Sequence, residues 1–485
     1  IALSTVFRNH AVLTRYDDGS WTLTDASSKT GTWVNGEKVN ICAIHPGDKI
    51  SIGGVDMELV PITKRQEQLQ SQLRTRGSGP ISSIFGLILL TLLQAAMLMG
   101  FFLSGVEEEY PSYVLGFCSV AICQWGLFLF YAVIHRSSFE VETLAFFLCT
   151  LGMAAIATVK PGEILKQAAA MVLGVLTFLL IGWSLRDLER AKRCRYLAVL
   201  LGVGFLVITL LFGREYYGAK NWLVIGGLSL QPSELSKVCF VYAGASTMDR
   251  IMNKRNLILF IAYSVVICGL LALMNDFGTA MIFFCAFLII AYLRSGSVGT
   301  IALACTALGF AGVLAIRIAP HALNRFATWR HIWENPYSSG YQQTQAIMCI
   351  ASGGLFGLGA GKGFLQKVFA ADSDIVFATI SEEWGLLLAL LAVLVVAALG
   401  FFAIRTSRVS RSSFYCIGGC TAAGILLIQA ALNCLGTVDV LPFTGVTFPF
   451  LSNGGTSMIG AWGLLAFVKA ADTRQNASFA VRYTK

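Results

Sequence analysis

Charge is scarce in this sequence. Asp, Glu, Lys and Arg make up 13% of its 485 residues, about half of the ~25% usual in soluble domains. That shortage, with 56% hydrophobic residues and a mean hydropathy of +0.69, excludes a soluble globular chain and leaves a polytopic helical membrane protein. Paired cysteines are also missing: no CxxC occurs among the thirteen. Most lie inside apolar runs (Cys118, Cys123, Cys149, Cys239, Cys268, Cys285, Cys305) and read as small core hydrophobes, excluding a disulfide framework and a cysteine metal site. The net charge of +9 rests mostly on Lys and Arg in short segments between apolar runs. Orientation in a bilayer explains that placement, and nucleic acid is not implied as a partner.

Residues 1–62 are different material. Short apolar strands such as Trp21-Thr22-Leu23 and Thr32-Trp33-Val34 alternate with the turn signals Asp17-Asp18-Gly19, Asn35-Gly36, Pro46-Gly47-Asp48 and Gly53-Gly54, which predicts a small β-sandwich. The run Arg8-Asn9-His10-Ala11, then Asp25 to Thr32 and Trp33-Val34-Asn35-Gly36, resembles the forkhead-associated (FHA) domain, a family that binds phosphothreonine peptides. The Gly-Arg strand that the family carries ahead of this stretch is not in the sequence. Phe7 stands where the family has a phosphate-contacting Ser, and Thr30 where it has Asn. Arg8 and Ser27 or Ser28 are the candidate phosphopeptide contacts. Two readings stay open: a reader of phosphothreonine, or a structural sandwich that docks a protein without phosphate.

Residues 63–79 form a basic linker containing Lys64, Arg65, Arg74 and Arg76. A β-rich segment ahead of the first apolar run argues against a cleavable signal peptide. From 80 to 471 the chain divides into about 12 candidate transmembrane helices: 81–104, 112–134, 141–159, 166–184, 196–213, 232–249, 256–274, 278–293, 298–316, 383–404, 414–435 and 447–469. Cations cluster in alternate loops, at His135-Arg136, Arg186 to Arg195, Asp249 to Arg255, Arg294, Arg405 to Arg411 and from Lys469 into the tail 472–485. This pattern predicts both termini in the cytoplasm and the long loop 317–382 outside. The expected fold is therefore an all-α membrane bundle with a small N-terminal β-sandwich.

Several charges fall at odds with that plan. Glu234 and Lys237, three apart in Gln231-Pro232-Ser233-Glu234-Leu235-Ser236-Lys237, share one helix face, either as a structural ion pair or as a polar wall of an outward-open cavity. Asp276 opens a span, as an N-cap or as a site residue. The glycines 357, 359, 361 and 363 are read either as a phosphate nest or as a series of tight turns. Tyr341, Gln342 and Gln345 are set to bind sugar hydroxyls or to satisfy backbone groups; of Glu382 and Glu383, one faces the cavity and the other meets headgroups.

Six motifs in order then resemble the SEDS family (shape, elongation, division and sporulation; the RodA/FtsW group). They are Asn221-Trp222-Leu223 through Lys237; Asp276-Phe277-Gly278-Thr279; Gly340-Tyr341-Gln342 leading to Ser352-Gly353-Gly354 and on to Gly359; Asp374-Ile375-Val376-Phe377-Ala378; Glu382-Glu383-Trp384-Gly385; and Leu441-Pro442-Phe443-Thr444-Gly445 through Ser452-Asn453-Gly454-Gly455. The resemblance implies a peptidoglycan glycosyltransferase that polymerises lipid II beside a class B penicillin-binding protein, with two spans more than the usual number. The family's essential outer-loop acid falls on Asp374. Ala370 and Asp372 replace a common Glu and His, Asn221 an Arg, and Asn453 a Tyr, which touches substrate contacts more than chemistry.

The implied reaction deprotonates a sugar hydroxyl as it attacks an anomeric carbon carrying a lipid diphosphate, so a positioned carboxylate is the general base, here Asp374. Its alternative role is to cap the helix entered at Ile375. Arg325, Lys362 and Lys367 are expected to match the diphosphate charge, with a divalent cation, Mg or Mn, as the alternative. Glu234, Lys237, Asp276, Tyr341, Gln345, Glu382, Glu383 and Ser452 complete the expected substrate contacts. Two other functions fit the same chain: a lipid II flippase, or a non-catalytic scaffold linking a phosphoprotein to the wall machinery.

Overall fold

The computed structural model describes residues 10–15, 20–28, 30–58, 79–104, 107–216, 218–226, 228–248, 254–296, 298–299, 302, 305–306, 325–407, 410, 412–474 and 476–481. The chain divides into two units, 1–75 and 76–485.

In the first unit β1 (Ala11–Arg15), β2 (Trp21–Asp25), β3 (Thr32–Val34), β4 (Glu37–Val39), β5 (Ile41–Ile44), β6 (Lys49–Ile52) and β7 (Val55–Glu58) form two antiparallel sheets, ordered β1-β2-β5 and β4-β3-β6-β7. The predicted turns account for the register. Asn35-Gly36 (φ 52° and 87°) and Gly53-Gly54 (57° and 85°) are two-residue links with both residues left-handed, the geometry that suits the twist of a hairpin. Leu23 and Ile44 from one sheet meet Val34 and Ile50 from the other, closing a small sandwich core.

The second unit is helical: α1 (Pro80–Ser104), α2 (Tyr110–Val133), α3 (Glu140–Val159), α4 (Ile164–Leu185), a short α5 (Leu188–Arg193), α6 (Arg195–Phe212), α7 (Pro232–Met248), α8 (Lys254–Leu273), α9 (Phe277–Ser295), α10 (Tyr341–Gly353), α11 (Val376–Trp384), α12 (Leu386–Ser407), α13 (Ser413–Thr437) and α14 (Gly455–Ala471). Among the described residues nine helices are long and apolar enough to cross a membrane, namely α1 to α4, α6, α8, α9, α12 and α13. Helices α7 and α14, 17 residues each, are shorter and buried almost throughout. Most of the expected span 298–316 lies outside the described residues.

Burial separates the layers. The apolar window of α3 is 83% buried and that of α13 67%, against 28% for α1 and 22% for α6, so α3, α13 and α14 make the core while α1 and α6 present apolar faces outward. Trp462 of α14 is fully buried among Phe146, Phe178 and Phe450 at ring distances of 4.9 to 5.6 Å. At one end of α3, Glu142 pairs with Lys469 at 2.9 Å, and Tyr131 donates to the same carboxylate at 2.7 Å, which satisfies two buried charges together. Gly152 of α3 lies against the backbone carbonyl of Leu451; a side chain there would collide with it, so this glycine lets the 441–454 segment pack onto α3.

Four boundaries differ from the sequence reading. The stretch after Arg214 is not a loop but a three-stranded antiparallel sheet, β8 (Arg214–Tyr216), β9 (Ala219–Ile225) and β10 (Leu228–Leu230). The span expected at 383 starts at Leu386, because Gly385 (φ +90°) breaks the chain between α11 and α12. The last helix starts at Gly455 rather than 447, the preceding residues being irregular. The described part of 472–485 is docked: Ala477, Ser478, Ala480 and Val481 are buried, and Arg136 donates to the Val481 carbonyl at 2.9 Å. All thirteen cysteines are free.

Candidate functional site

Asp374 sits where three segments meet. Ala370 takes a left-handed φ of +55°, and its carbonyl accepts the N–H groups of Ser373 (3.2 Å), Asp374 (2.9 Å) and Ile375 (3.4 Å). This tight turn delivers the chain into α11. The turn is then fixed from outside by two side chains. Asn433, near the end of α13, donates through Nδ2 to the carbonyls of Asp374 (2.9 Å), Val446 (2.9 Å) and Ser373 (3.4 Å). Ser452 donates to the Ser373 carbonyl at 2.6 Å while accepting the Phe448 N–H at 2.8 Å. The 441–454 segment thus serves as a backing plate for the turn.

The side chain of Asp374 keeps part of its surface open, yet protein closes round the carboxyl in a recess. Burial pushes its pKa up to about 6; the Ser373 hydroxyl and the cations Arg325 and Lys160 pull downward, and the charge of Asp372 pushes upward. Arg325 is exposed and tied to the Thr444 carbonyl at 3.1 Å. Asp372 is buried; Lys160 reaches it at 3.2 Å, and Asn453 donates to it at 2.6 Å and to Glu163 at 2.7 Å. A carboxyl held near neutrality in this way is suited to exchange a proton with a bound hydroxyl.

The other expected residues divide into groups. Glu234 and Lys237 are both buried on α7 and pair at 2.7 Å. Asp276 is the N-cap of α9, accepting the Thr279 N–H at 3.1 Å and the Asn221 amide at 3.3 Å. Tyr341 and Gln345 are half-buried on α10; the neighbouring Gln342 donates to the Phe369 carbonyl at 2.8 Å, satisfying backbone. Lys362 and Lys367 are exposed, and the Lys367 ammonium lies 5.5 Å from the Phe364 ring centre.

Glu382 and Glu383 are both buried, so neither meets headgroups. Glu382 accepts the N–H groups of Phe364 (2.8 Å) and Leu365 (3.0 Å), and Glu383 those of Gly363 (3.3 Å) and the Thr158 hydroxyl (2.7 Å). The glycine segment does form an array of inward N–H groups, but the protein's own carboxylates occupy it, and the turn reading accounts for the glycines. Among the described residues no cluster of three or more His, Cys, Asp or Glu side chains assembles a metal site.

Asn433, Lys160 and Glu163 were not singled out by sequence reasoning. Lys160 and Glu163 flank Pro161-Gly162 in a short connection between two apolar runs, and Asn433 is one amide in an apolar run.

In the N-terminal unit, Arg8 lies outside the described residues. Asp25 accepts from Thr32 (2.6 Å) and from both the hydroxyl (2.7 Å) and N–H (3.0 Å) of Ser28, whose oxygen accepts the Gly31 N–H at 3.0 Å. Ser28 therefore staples the loop, while Ser27 is exposed with φ +59°.

A multi-pass helical bundle with a backbone-clamped acid in the connection between α10 and α11 defines the class: an integral membrane protein with a site at one end of the bundle. Residues 126–477 match the model of the FtsW/RodA/SpoVE family of cell cycle proteins, and residues 1–53 match that of the FHA domain. The chain belongs to the FtsW/RodA/SpoVE family. It is 30% identical over 326 residues to the peptidoglycan glycosyltransferase RodA of Mycobacterium tuberculosis, covering 62% of this chain and 69% of that one. It is 30% identical over 396 residues to the probable peptidoglycan glycosyltransferase FtsW of Bacillus subtilis, covering 75% and 92%. Among solved structures it resembles a chain of a peptidoglycan synthase complex that coordinates polymerization and crosslinking (TM-score 0.58, 24% identity, 68% of this chain and 96% of that chain). It also resembles the rod shape-determining protein RodA of Thermus thermophilus (TM-score 0.50, 23% identity, 68% and 95%); both likenesses concern the fold.

Proposed function

We propose that this protein is a peptidoglycan glycosyltransferase that polymerises lipid II at the outer face of the bacterial cytoplasmic membrane, with Asp374 as general base. The observation that carries the reading is the Asp374 turn: its enclosed carboxyl is poised at about 6, part of the residue's surface stays open, and its backbone is clamped from α13 and the 441–454 segment. Asp374 takes the proton of the attacking sugar hydroxyl. The oxygen forms a bond to the anomeric carbon of the second disaccharide, the bond from that carbon to the diphosphate breaks, and the electron pair leaves with the lipid diphosphate. Direct displacement inverts the anomeric centre. A proton transfer of this kind contributes about 10²- to 10⁴-fold.

As an alternative to the cationic side chains, a divalent cation, Mg or Mn, would supply charge neutralisation of the leaving diphosphate, with Asp374 then its ligand rather than the free base. The alternating loop cations support an orientation with both termini cytoplasmic and Asp374 outside. A class B penicillin-binding protein is the proposed membrane partner, and a phosphothreonine protein the proposed ligand of the FHA domain.

The test is polymerisation of labelled lipid II by purified protein, with and without a class B partner and a divalent cation. Wild type makes glycan chains; Asp374→Ala makes at least about 10²-fold less with an unchanged melting temperature. Undiminished polymer from Asp374→Ala refutes the base. Silence from wild type under every condition refutes the polymerase, and a fluorescent lipid II translocation assay on the same sample then separates flippase from scaffold.

A further inference from the structure

A lysine outside every motif stands at the Asp374 recess. Lys160 follows the last turn of α3, its N–H donating to the Ile156 carbonyl at 2.8 Å, and its side chain is 47% exposed. Its ammonium lies 3.2 Å from Oδ2 of Asp372, whose side chain is only 1% exposed. A buried carboxylate is costly unless paired, so Asp372 holds the ammonium at the rim of the recess. Asn453 reinforces the hold from behind: its N–H donates to the Asp372 carbonyl at 2.8 Å, and its amide bridges Asp372 and Glu163.

An ammonium has three protons to donate. Asp372 is the acceptor Lys160 is paired with among the described residues, which leaves donors for a ligand on the open side. Arg325, anchored on the Thr444 carbonyl, stands within electrostatic reach of the same Asp374 carboxyl, as Lys160 does. One cation thus comes from the α3–α4 connection and the other from the long loop. Two cations beside a base match a reaction whose leaving group is a dianion or more.

We propose that Lys160 and Arg325 form a two-cation seat for the diphosphate of a lipid-linked sugar, with Lys160 the binding residue and Asp372 and Asn453 its positioning residues. The proposal rests on the glycosyl-transfer reading above. It also gives a role to Asp372, one of the departures from the family's pattern: the acid comes with its own counterion, and the pair presents a cation at the recess.

The experiment is equilibrium binding by the full-length protein in nanodiscs of zwitterionic lipid, with farnesyl diphosphate, farnesol and inorganic pyrophosphate as probes. Wild type binds farnesyl diphosphate more tightly than farnesol. Lys160→Met weakens farnesyl diphosphate about tenfold or more, the scale of one lost charge-assisted hydrogen bond, and leaves farnesol unchanged. Lys160→Arg keeps most of the affinity, which separates lost charge from damaged fold. Pyrophosphate competes with farnesyl diphosphate on wild type and loses this ability on Lys160→Met, which assigns recognition to the diphosphate itself; failure to compete on wild type would assign it to the isoprenoid chain and overturn the seat. Unchanged diphosphate affinity in a normally melting Lys160→Met also overturns it. Because binding is read without turnover, a protein that makes no polymer but loses diphosphate with Lys160→Met refutes only the activity, and a polymerase indifferent to Lys160 refutes only the seat.

Discussion

Replacing Asn433 by Leu tests whether the Asp374 turn is held from α13. The two side chains have the same number of heavy atoms and the same branching at Cγ, so the change removes a donor without opening a cavity. It orphans the carbonyls of Asp374 and Val446, each bonded at 2.9 Å, and a longer contact to Ser373 at 3.4 Å. A buried acceptor left without a donor costs about 1–3 kcal/mol, so the two good bonds put roughly 2–6 kcal/mol at stake. The turn relaxes before the bundle does, because Asn433 lies near the end of α13 and the turn has its own Ala370 and Ser452 contacts. A displacement of about 1 Å at a reacting group lowers turnover by about 10²-fold. The expected result in the lipid II polymerisation assay is a kcat reduced by about 10²-fold with KM changed little, and a small drop in melting temperature. A kcat near that of wild type, with the variant folded, would refute the clamp and leave Ser452 and Ala370 as its only supports.

The remaining predictions concern protons and phosphate. Asp374 works deprotonated and has its carboxyl raised to about 6, so kcat/KM rises with pH through about 6 and is flat above. Lys160 stabilises the charged form, so Lys160→Met moves this acid limb to higher pH, and Asp372→Asn removes the repelling charge; a limb unmoved in Lys160→Met and centred near 4 would contradict the recess. For the N-terminal unit, titration of full-length protein with phosphothreonine and unmodified peptides is expected to show preference for phosphate, lost on Arg8→Ala and retained on Ser28→Ala provided the loop stays folded. Equal affinity for both peptides would leave the sandwich as a phosphate-independent dock. In right-side-out vesicles, added protease is expected to spare residues 1–62, and their digestion would reverse the assigned orientation.

Local signals in the chain were enough for most of the elements. Asn35-Gly36 and Gly53-Gly54 make the hairpins they announce, because a two-residue link needs two positive φ angles and little else. Apolar runs of about 20 residues set the spans, since a helix satisfies its own backbone wherever it is placed. Asp276 caps α9 for an equally local reason, its carboxylate lying three residues before the N–H it accepts. The ordered motifs pointed to Asp374 and to the family. What they left undecided was which partner each polar group would meet. Glu382 and Glu383 turn inward onto the glycine segment instead of toward ligand, the region after Arg214 becomes a sheet, and residues 477–481 dock onto the bundle.

Those outcomes belong to the tertiary structure because their energies come from contacts distant in the chain. Asn433 reaches residues 59 and 60 positions away, Ser452 one 79 positions away, and Asn453 reaches Asp372 across 81 positions and Glu163 across 290. No periodicity or turn rule carries information over such separations. The sequence by itself determined a membrane bundle, a β-sandwich and the acid on which the chemistry is proposed to turn. Only the packing of α3, α13 and the 441–454 segment decided that this acid would be buried enough to hold a proton near neutrality, with Lys160 and Arg325 beside it, because desolvation and charge proximity exist only once distant segments meet.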